Sequence, residues 1–470
     1  MSSKNQAINH KIQETISPID SQVYVTRPLA SKDDISEVVE QANMMQKSWA
    51  TLPLADRKLV CVKAIDILMS QKKVLANELC WMMGRPIRYC EGELNGLDER
   101  AQYLLQVSDH ALSPVVIAEK AGFTRYIKRE ALGVVLIIAP WNYPYLTAIN
   151  SLIPALLTGN SVIIKHSAQT PLCAERLVSA FEAAGMPKGI VQFLHTSHEN
   201  TLACITKEAI HHVAFTGSVL GGKKVEQAAA GRFLSVGLEL GGKDPAYVRQ
   251  DANIEKVAEI LVQGAFFNSG QSCCAIERIY VHERVFDLFL ATFVQWVLHY
   301  QLGRSDDSDT TLGPMISTFA ADVVRAQIHE AIALGAVTHI DESLFPLSQA
   351  GTPYLAPQVL TQVDHRMRLM TEESFGPVIG IQKVKDDNEA LCLMNDSEFG
   401  LTAAIFTQDI ETGVALGDKV DTGTFFINRC DYLDPALAWT GVKQSGRGCS
   451  LSVLGFESVT RPKSYHIKHR

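Results

Sequence analysis

Residues 266–275 read FFNSGQSCCA, and Cys273 stands directly after a Gly-Gln-Ser turn that ends a helix-like apolar run, VAEILVQGAFF. Such a turn leaves a side chain at an exposed bend, where a thiolate can reach electrophilic carbon without a metal. Upstream, PWNYP at 140–144 closes a strand-like run, GVVLIIA. Asn142, held between prolines and aromatics, is expected to keep its side-chain amide free to donate to negative charge developing on oxygen. In GLELGGKDP, Glu239 sits in an apolar run just before two glycines. Burial there should raise its pKa and suits it to act as a base. Downstream, EESFGPV places Glu373 and Phe375 ahead of a tight Gly-Pro turn.

These residues need a scaffold that holds distant stretches together. The first third of the chain is helix-like, with apolar residues at helical spacing in ISEVVEQANMMQKSWATL and DRKLVCVKAIDILMSQKKVLANELCWMMG. FTRYIKRE then alternates as an extended, hairpin-like stretch. After it, GVVLIIA, SVIIK, VQFLH and HVAFTG are short β-rich runs, each followed by a helix-like segment. The alternation restarts near residue 241 with AYV, RIYVH, APQVL, VIGIQKV, TAAIFT and GTFFIN. Strands alternating with helices predict an α/β fold of open parallel sheets with helices on their faces. VAFTGSVLGG at 213–222 ends a strand and opens a helix, bringing Gly217, Ser218, Gly221 and Gly222 to a helix N-terminus that suits a phosphate. Lys165 ends the strand SVIIK.

In this order PWNYP, LELGGK, FFNSGQSC and EESFGPV resemble the aldehyde dehydrogenase superfamily, and the match runs over residues 35–468. The resemblance implies two Rossmann-like open α/β sheet domains plus a small β oligomerisation flap. NAD(P) binding is expected of residues 1–112 and 131–240 and catalysis of 241–440. Residues 113–130 and 460–470 would form the flap, whose edge would build a homodimer or homotetramer. It further implies an NAD(P)-dependent enzyme that oxidises an aldehyde to its acid. Cys273 would form a thiohemiacetal whose oxyanion is held by Asn142 and the Cys273 backbone N–H. Hydride loss to the cofactor would leave a thioester, hydrolysed by water that Glu239 activates. A glutamate at that position sets hydrolysis apart from transfer to coenzyme A. Lys165, Trp141, Gly217, Ser218, Gly222, Glu373 and Phe375 would hold the cofactor.

Two departures bear on which cofactor is used. The superfamily usually has proline after the lysine, where this chain has His166, either a contributor to binding a 2′-phosphate or, as is commoner after a strand, a surface residue. Many NAD-preferring members have glutamate three residues after the lysine, where this chain has Ala168. Losing that charge removes a repulsion against a 2′-phosphate, so NAD and NADP both remain open. Tyr143, Phe267 and Trp439 align with the aromatic lining of the substrate tunnel, with Asn150 and Ser272 beside them. No arginine stands at a position obviously suited to a substrate carboxylate, so a dicarboxylic semialdehyde is not favoured. Asp431 lies near the expected tunnel mouth, either as an attractor of an amino-aldehyde or as a solvated loop residue. Cys274 reads as a packing neighbour of the nucleophile.

Composition narrows the rest. The chain has 470 residues, 47 % of them apolar and 20 % charged, with a net charge of −8. This length suits two or three domains. No basic block points to nucleic acid, and no run of about 18 apolar residues points to a membrane. The polar start, MSSKNQAINHKIQ, lacks the apolar core of a signal peptide. Ten cysteines at irregular spacing, with no CxxC pair or zinc-like histidine partner, suit a reducing, cytoplasmic setting without a bound metal. The alternative functional reading is a cofactor-independent cysteine esterase or thiol hydrolase. A non-catalytic relative would be expected to have lost the nucleophile, the oxyanion asparagine or the base.

Overall fold

Helical spacing in the first third becomes four helices in the structure, a computed structural model that describes residues 11–469. They run Lys32–Thr51, Leu54–Ser70, Lys72–Met83 and Ile87–Ala111. The first opens on a capping box, in which Ser31 and Asp34 satisfy each other's backbone N–H groups. The fourth buries Cys90, Leu94, Leu97, Ala101 and Leu104 on one face, and also Glu93 and Arg100. The hairpin of Ile12–Ile16 with Val23–Pro28 was not anticipated from sequence. Residues 1–10, on which most of the polar-start reading rests, lie outside the described residues, as does residue 470 of the flap.

The first sheet has six strands in the order Gly446–Arg447, Ser235–Glu239, Ile210–Thr216, Val134–Ala139, Ser161–His166, Val191–Phe193. All neighbours are parallel except the two-residue edge at Gly446–Arg447. GVVLIIA forms a central strand whose successive side chains enter two different cores. Val135 and Ile137 join one apolar cluster, and Val134, Leu136 and Ile138 join another. Burial on both faces explains the unbroken apolar run. From this strand the chain winds outward twice, then returns to its other side at Ile210–Thr216. The ends of the two strands flanking that reversal are where open α/β sheets place ligands.

The second sheet has seven strands, in the order Val337–Thr338, Gln358–Thr361, Val378–Val384, Ile276–His282, Asp244–Val248, Thr402–Phe406, Thr424–Ile427. It too is parallel apart from an antiparallel edge at Val337–Thr338. Ile279 and Val281 face one cluster and Tyr280 the other, the same two-sided burial. A third, antiparallel sheet pairs Phe123–Ala131 with Thr460–Lys468 along their whole length and adds the short strand Val115–Val116. Among the described residues no helix is long and apolar enough to cross a membrane.

Candidate active site

Cys273 follows a run of backbone that glycine-like geometry makes possible. Asn268, Ser269 and Gly270 all have left-handed φ, at 53°, 57° and 71°. A Cβ at Gly270 would lie 2.2 Å from the Gly376 carbonyl, so only glycine lets FNSG and SFGP approach this closely. Phe375 on the other side is itself left-handed, at φ 52°. Strained backbone concentrated beside one side chain is a feature of functional sites.

Asn142 lies beside the turn that carries Cys273, in surroundings that the sequence did not disclose. Its Nδ2 donates to the Gln271 carbonyl at 3.2 Å, so one amide hydrogen is engaged and not both free as expected. That bond ties PWNYP to the turn carrying Cys273. Behind it lies Arg85, which sequence reasoning missed. Its guanidinium is fully buried and pairs with Glu93. It also donates to the Asn142 carbonyl at 2.7 Å and to Asn268 Oδ1 at 3.0 Å. Glu93 in turn accepts from the Tyr145 N–H at 2.9 Å. One ion pair therefore braces both the asparagine and the cysteine loop. The backbone N–H of Cys273 has no hydrogen-bond partner among the described residues.

Glu239 ends the strand Ser235–Glu239, with its carboxyl held by Ser450 and, at 3.0 Å, by the Thr216 hydroxyl. Burial raises its pKa despite those two donors and the nearby Arg100. Ser450 and Thr216 gave no signal in the sequence, because their role depends on strand ends meeting in space.

Two cavities meet at these groups. One of about 620 Å³ and one of about 880 Å³ are both lined by Tyr143, Thr147, Thr216, Glu239 and Cys273. The smaller also takes Phe267, Trp439, Asn150 and Ser272, all expected around a substrate. Asp431 lines it rather than standing in open solvent. It accepts from Cys274 Sγ at 3.1 Å and Ser272 Oγ at 3.4 Å, and burial pushes its carboxyl up to about 7. The expectation that no arginine stands here is overturned: Arg100 lines the same cavity. It was hidden in a helix rich in charged residues, where one more charge reads as solvated.

The larger cavity is lined by Trp141, Lys165, Gly217, Ser218, Glu373 and Phe375. Ser218 caps the helix Val219–Ala229, its hydroxyl accepting from the Gly221 N–H at 3.2 Å. Gly222 does not line the cavity. It lies within the helix, on its buried side, where a Cβ would come within 2.6 Å of the Leu240 side chain. Lys165 is buried with no hydrogen-bond partner among the described residues, and burial lowers its pKa to about 8. A desolvated lysine and a helix N-terminus lining one cavity suit an anionic, hydroxyl-rich ligand such as a dinucleotide. Lys224, which sequence reasoning did not single out, adds basic character to the same lining, beside His198, whose pKa is lowered by burial and then by Lys165 and Lys224. Glu373 accepts from the Gly242 N–H at 3.1 Å, and burial followed by Glu277 raises it to about 8. The buried pair Lys243–Glu277, at 2.6 Å, fixes this segment, since Glu277 also accepts from the N–H groups of Ser374 and Phe375. Phe375 meets Trp141 edge-on at 5.7 Å.

His166 corrects another expectation. It is buried, not at the surface, does not line the cavity, and both ring nitrogens lack partners. Strand alternation explains this: its neighbour Lys165 takes the cavity side, so His166 must point into the opposite core.

The profile described as "Aldehyde dehydrogenase family" matches residues 5–465. A mitochondrial aldehyde dehydrogenase of Leishmania tarentolae is 31% identical over 467 residues, covering 99% of this chain and 93% of that protein. The succinate-semialdehyde dehydrogenase (NADP(+)) of Deinococcus radiodurans is 30% identical over 449 residues, covering 96% and 93%. The crystal structure of an indole-3-acetaldehyde dehydrogenase complexed with NAD+ is similar at a TM-score of 0.93 and 29% identity, over 97% of this chain and 93% of that one.

Proposed function

The chain belongs to the aldehyde dehydrogenase family and is an oxidoreductase that acts on aldehydes with NAD or NADP, and from that premise we propose that Cys273 is its nucleophile. The observation that carries this reading is the position of Cys273 and Glu239 on the common wall of both cavities. Cys273, as its thiolate, bonds through Sγ to the aldehyde carbon, and the carbonyl π pair moves to oxygen. The second Asn142 amide hydrogen and the Cys273 N–H would donate to that oxyanion; removing one such donor typically costs about 10²–10³ in rate. When bound, NAD(P)+ supplies the hydride acceptor that takes this carbon to the oxidation level of an acid. Glu239 then takes a proton from water, whose oxygen adds to the thioester carbon as the Cys273 thiolate leaves.

The larger cavity would hold the cofactor. Ser218 and Gly217 are suited to its phosphates, Lys165 and Glu373 to ribose hydroxyls, and Trp141 with Phe375 to the ring. Tyr143, Phe267 and Trp439 would line the substrate side. The names of the relatives span a dicarboxylic semialdehyde and an indolic aldehyde, so likeness alone selects no substrate. We also propose that the outer edge of Thr460–Lys468 pairs with a second copy, since its other edge is already taken by Phe123–Ala131.

The test is reduced-cofactor absorbance across short, long, aromatic and charged aldehydes, each with NAD+ and with NADP+. Oxidation by wild type, abolished in Cys273→Ala while cofactor binding persists, supports the assignment. Substantial oxidation by the variant rejects it. Ester turnover with no response to any cofactor–aldehyde pair would instead identify a thiol hydrolase.

A further inference from the structure

The smaller cavity carries six formal charges, and five of them are accounted for. Arg85 and Glu93 neutralise each other. Glu99 accepts from the Tyr432 hydroxyl at 2.9 Å. Asp431 takes hydrogen bonds from Cys274 and Ser272. Glu239 is occupied by Ser450 and Thr216 and must remain available to water. Arg100 is the exception among the described residues. It is 8 % exposed, yet it forms no ion pair with a carboxylate. Its Nη1 donates to the Leu146 carbonyl at 3.2 Å and to Asn150 Oδ1 at 3.1 Å, whereas Nε and Nη2 have no partner.

Arg278, another buried guanidinium without a carboxylate, shows how such a charge is otherwise satisfied. All three of its nitrogens donate, to carbonyls of Lys243, Leu393 and Met394 among others. Arg100 instead keeps two donor nitrogens unused beside an open cavity. A buried charge left in that state is costly unless an anion completes it. A guanidinium held by one nitrogen still offers the planar face that binds a carboxylate bidentately.

We propose that Arg100, oriented by Asn150, anchors a carboxylate at the far end of the substrate. The enzyme's substrates are then ω-carboxylated aldehydes, the half-aldehydes of dicarboxylic acids. This rests on the aldehyde-oxidation reading, with the reacting carbonyl at Cys273 and the distal anion on the helix Ile87–Ala111. Asp431 does not oppose it strongly, because burial keeps that carboxyl partly protonated near neutral pH.

The test compares kcat/KM for succinic, glutaric and adipic semialdehyde with butanal, pentanal and hexanal. In wild type the carboxylated member of at least one pair is expected to be favoured about 10- to 100-fold, chiefly through KM. Arg100→Gln should collapse that ratio toward unity, and Arg100→Lys should restore part of it. Equal use of both members by wild type overturns the proposal while leaving aldehyde oxidation standing, and needs no variant to fold. A preference that survives Arg100→Gln overturns it as well. A second measurement separates this inference from the oxidation reading: glutarate should protect Cys273 from iodoacetamide in wild type and not in Arg100→Gln. Protection without aldehyde turnover would uphold the anchor and sink the oxidation reading. Absence of protection would sink the anchor.

Discussion

At Glu239 burial and hydrogen bonding pull the carboxyl in opposite directions, and burial wins. A base works only when deprotonated, so thioester hydrolysis should slow as pH falls through that raised value. Rapid-quench measurement of acyl-enzyme breakdown is expected to show this in wild type. In Glu239→Gln a slowing of about 10²–10⁴ and a flattened pH profile are expected; unaltered breakdown would mean another base. His166 gives a separate residue-scale prediction. Burial first, then Lys165 and His195, pushes its folded pKa from 6.5 down to about 3. Between those values the unfolded chain binds a proton that the folded chain refuses. Stability present above pH 6.5 is therefore lost as pH falls toward 3, at up to about 1.4 kcal/mol per pH unit. His166→Leu should lessen the fall in Tm over that window in differential scanning fluorimetry, and an unchanged slope would rule out this origin. Cys273, Asn142 and Glu239 were legible because each stands beside glycine or proline turns that betray a special backbone. Arg85, Glu93 and Arg100 were not, since a charged residue near or within a charge-rich helix reads as solvent-facing until packing shows otherwise.

Among the elements, the parallel strands were readable from unbroken apolar runs, and their C-terminal ends do carry Glu239, Thr216 and Lys165. The two-residue strand Gly446–Arg447 was not readable, because no periodicity exists over so short a span. The hairpin Ile12–Pro28 escaped for a related reason: its strands are five and six residues long, with few apolar side chains facing one way. What joins the elements is polar and buried. Arg85→Leu leaves Glu93 without its cation, which is expected to cost about 3–5 kcal/mol in denaturant unfolding. Because Arg85 also holds Asn142 and Asn268, kcat should fall in whatever fraction remains folded. A variant as stable and as active as wild type would show that the ion pair braces nothing.

For the whole molecule, the third sheet is the element proposed to pair with a second copy of the chain. Ending the chain after Val459 removes the outer nine-residue strand and exposes its partner Phe123–Ala131. Light scattering should then report the mass of one chain where the full protein forms an assembly, with circular dichroism confirming that both parallel sheets persist. An unchanged mass would remove this edge from the interface. The two-sheet architecture was legible from its repeated alternation, whereas the meeting of its parts was not, since Cys273 and Glu239 come from different sheets' surroundings. That meeting has a kinetic consequence. If the smaller cavity takes the substrate and the larger the cofactor, as proposed, each reaches the shared wall from its own side, and neither need vacate for the other to arrive. An inhibitor lodged on the aldehyde side would leave dinucleotide traffic unblocked, and raising the cofactor concentration would not displace it.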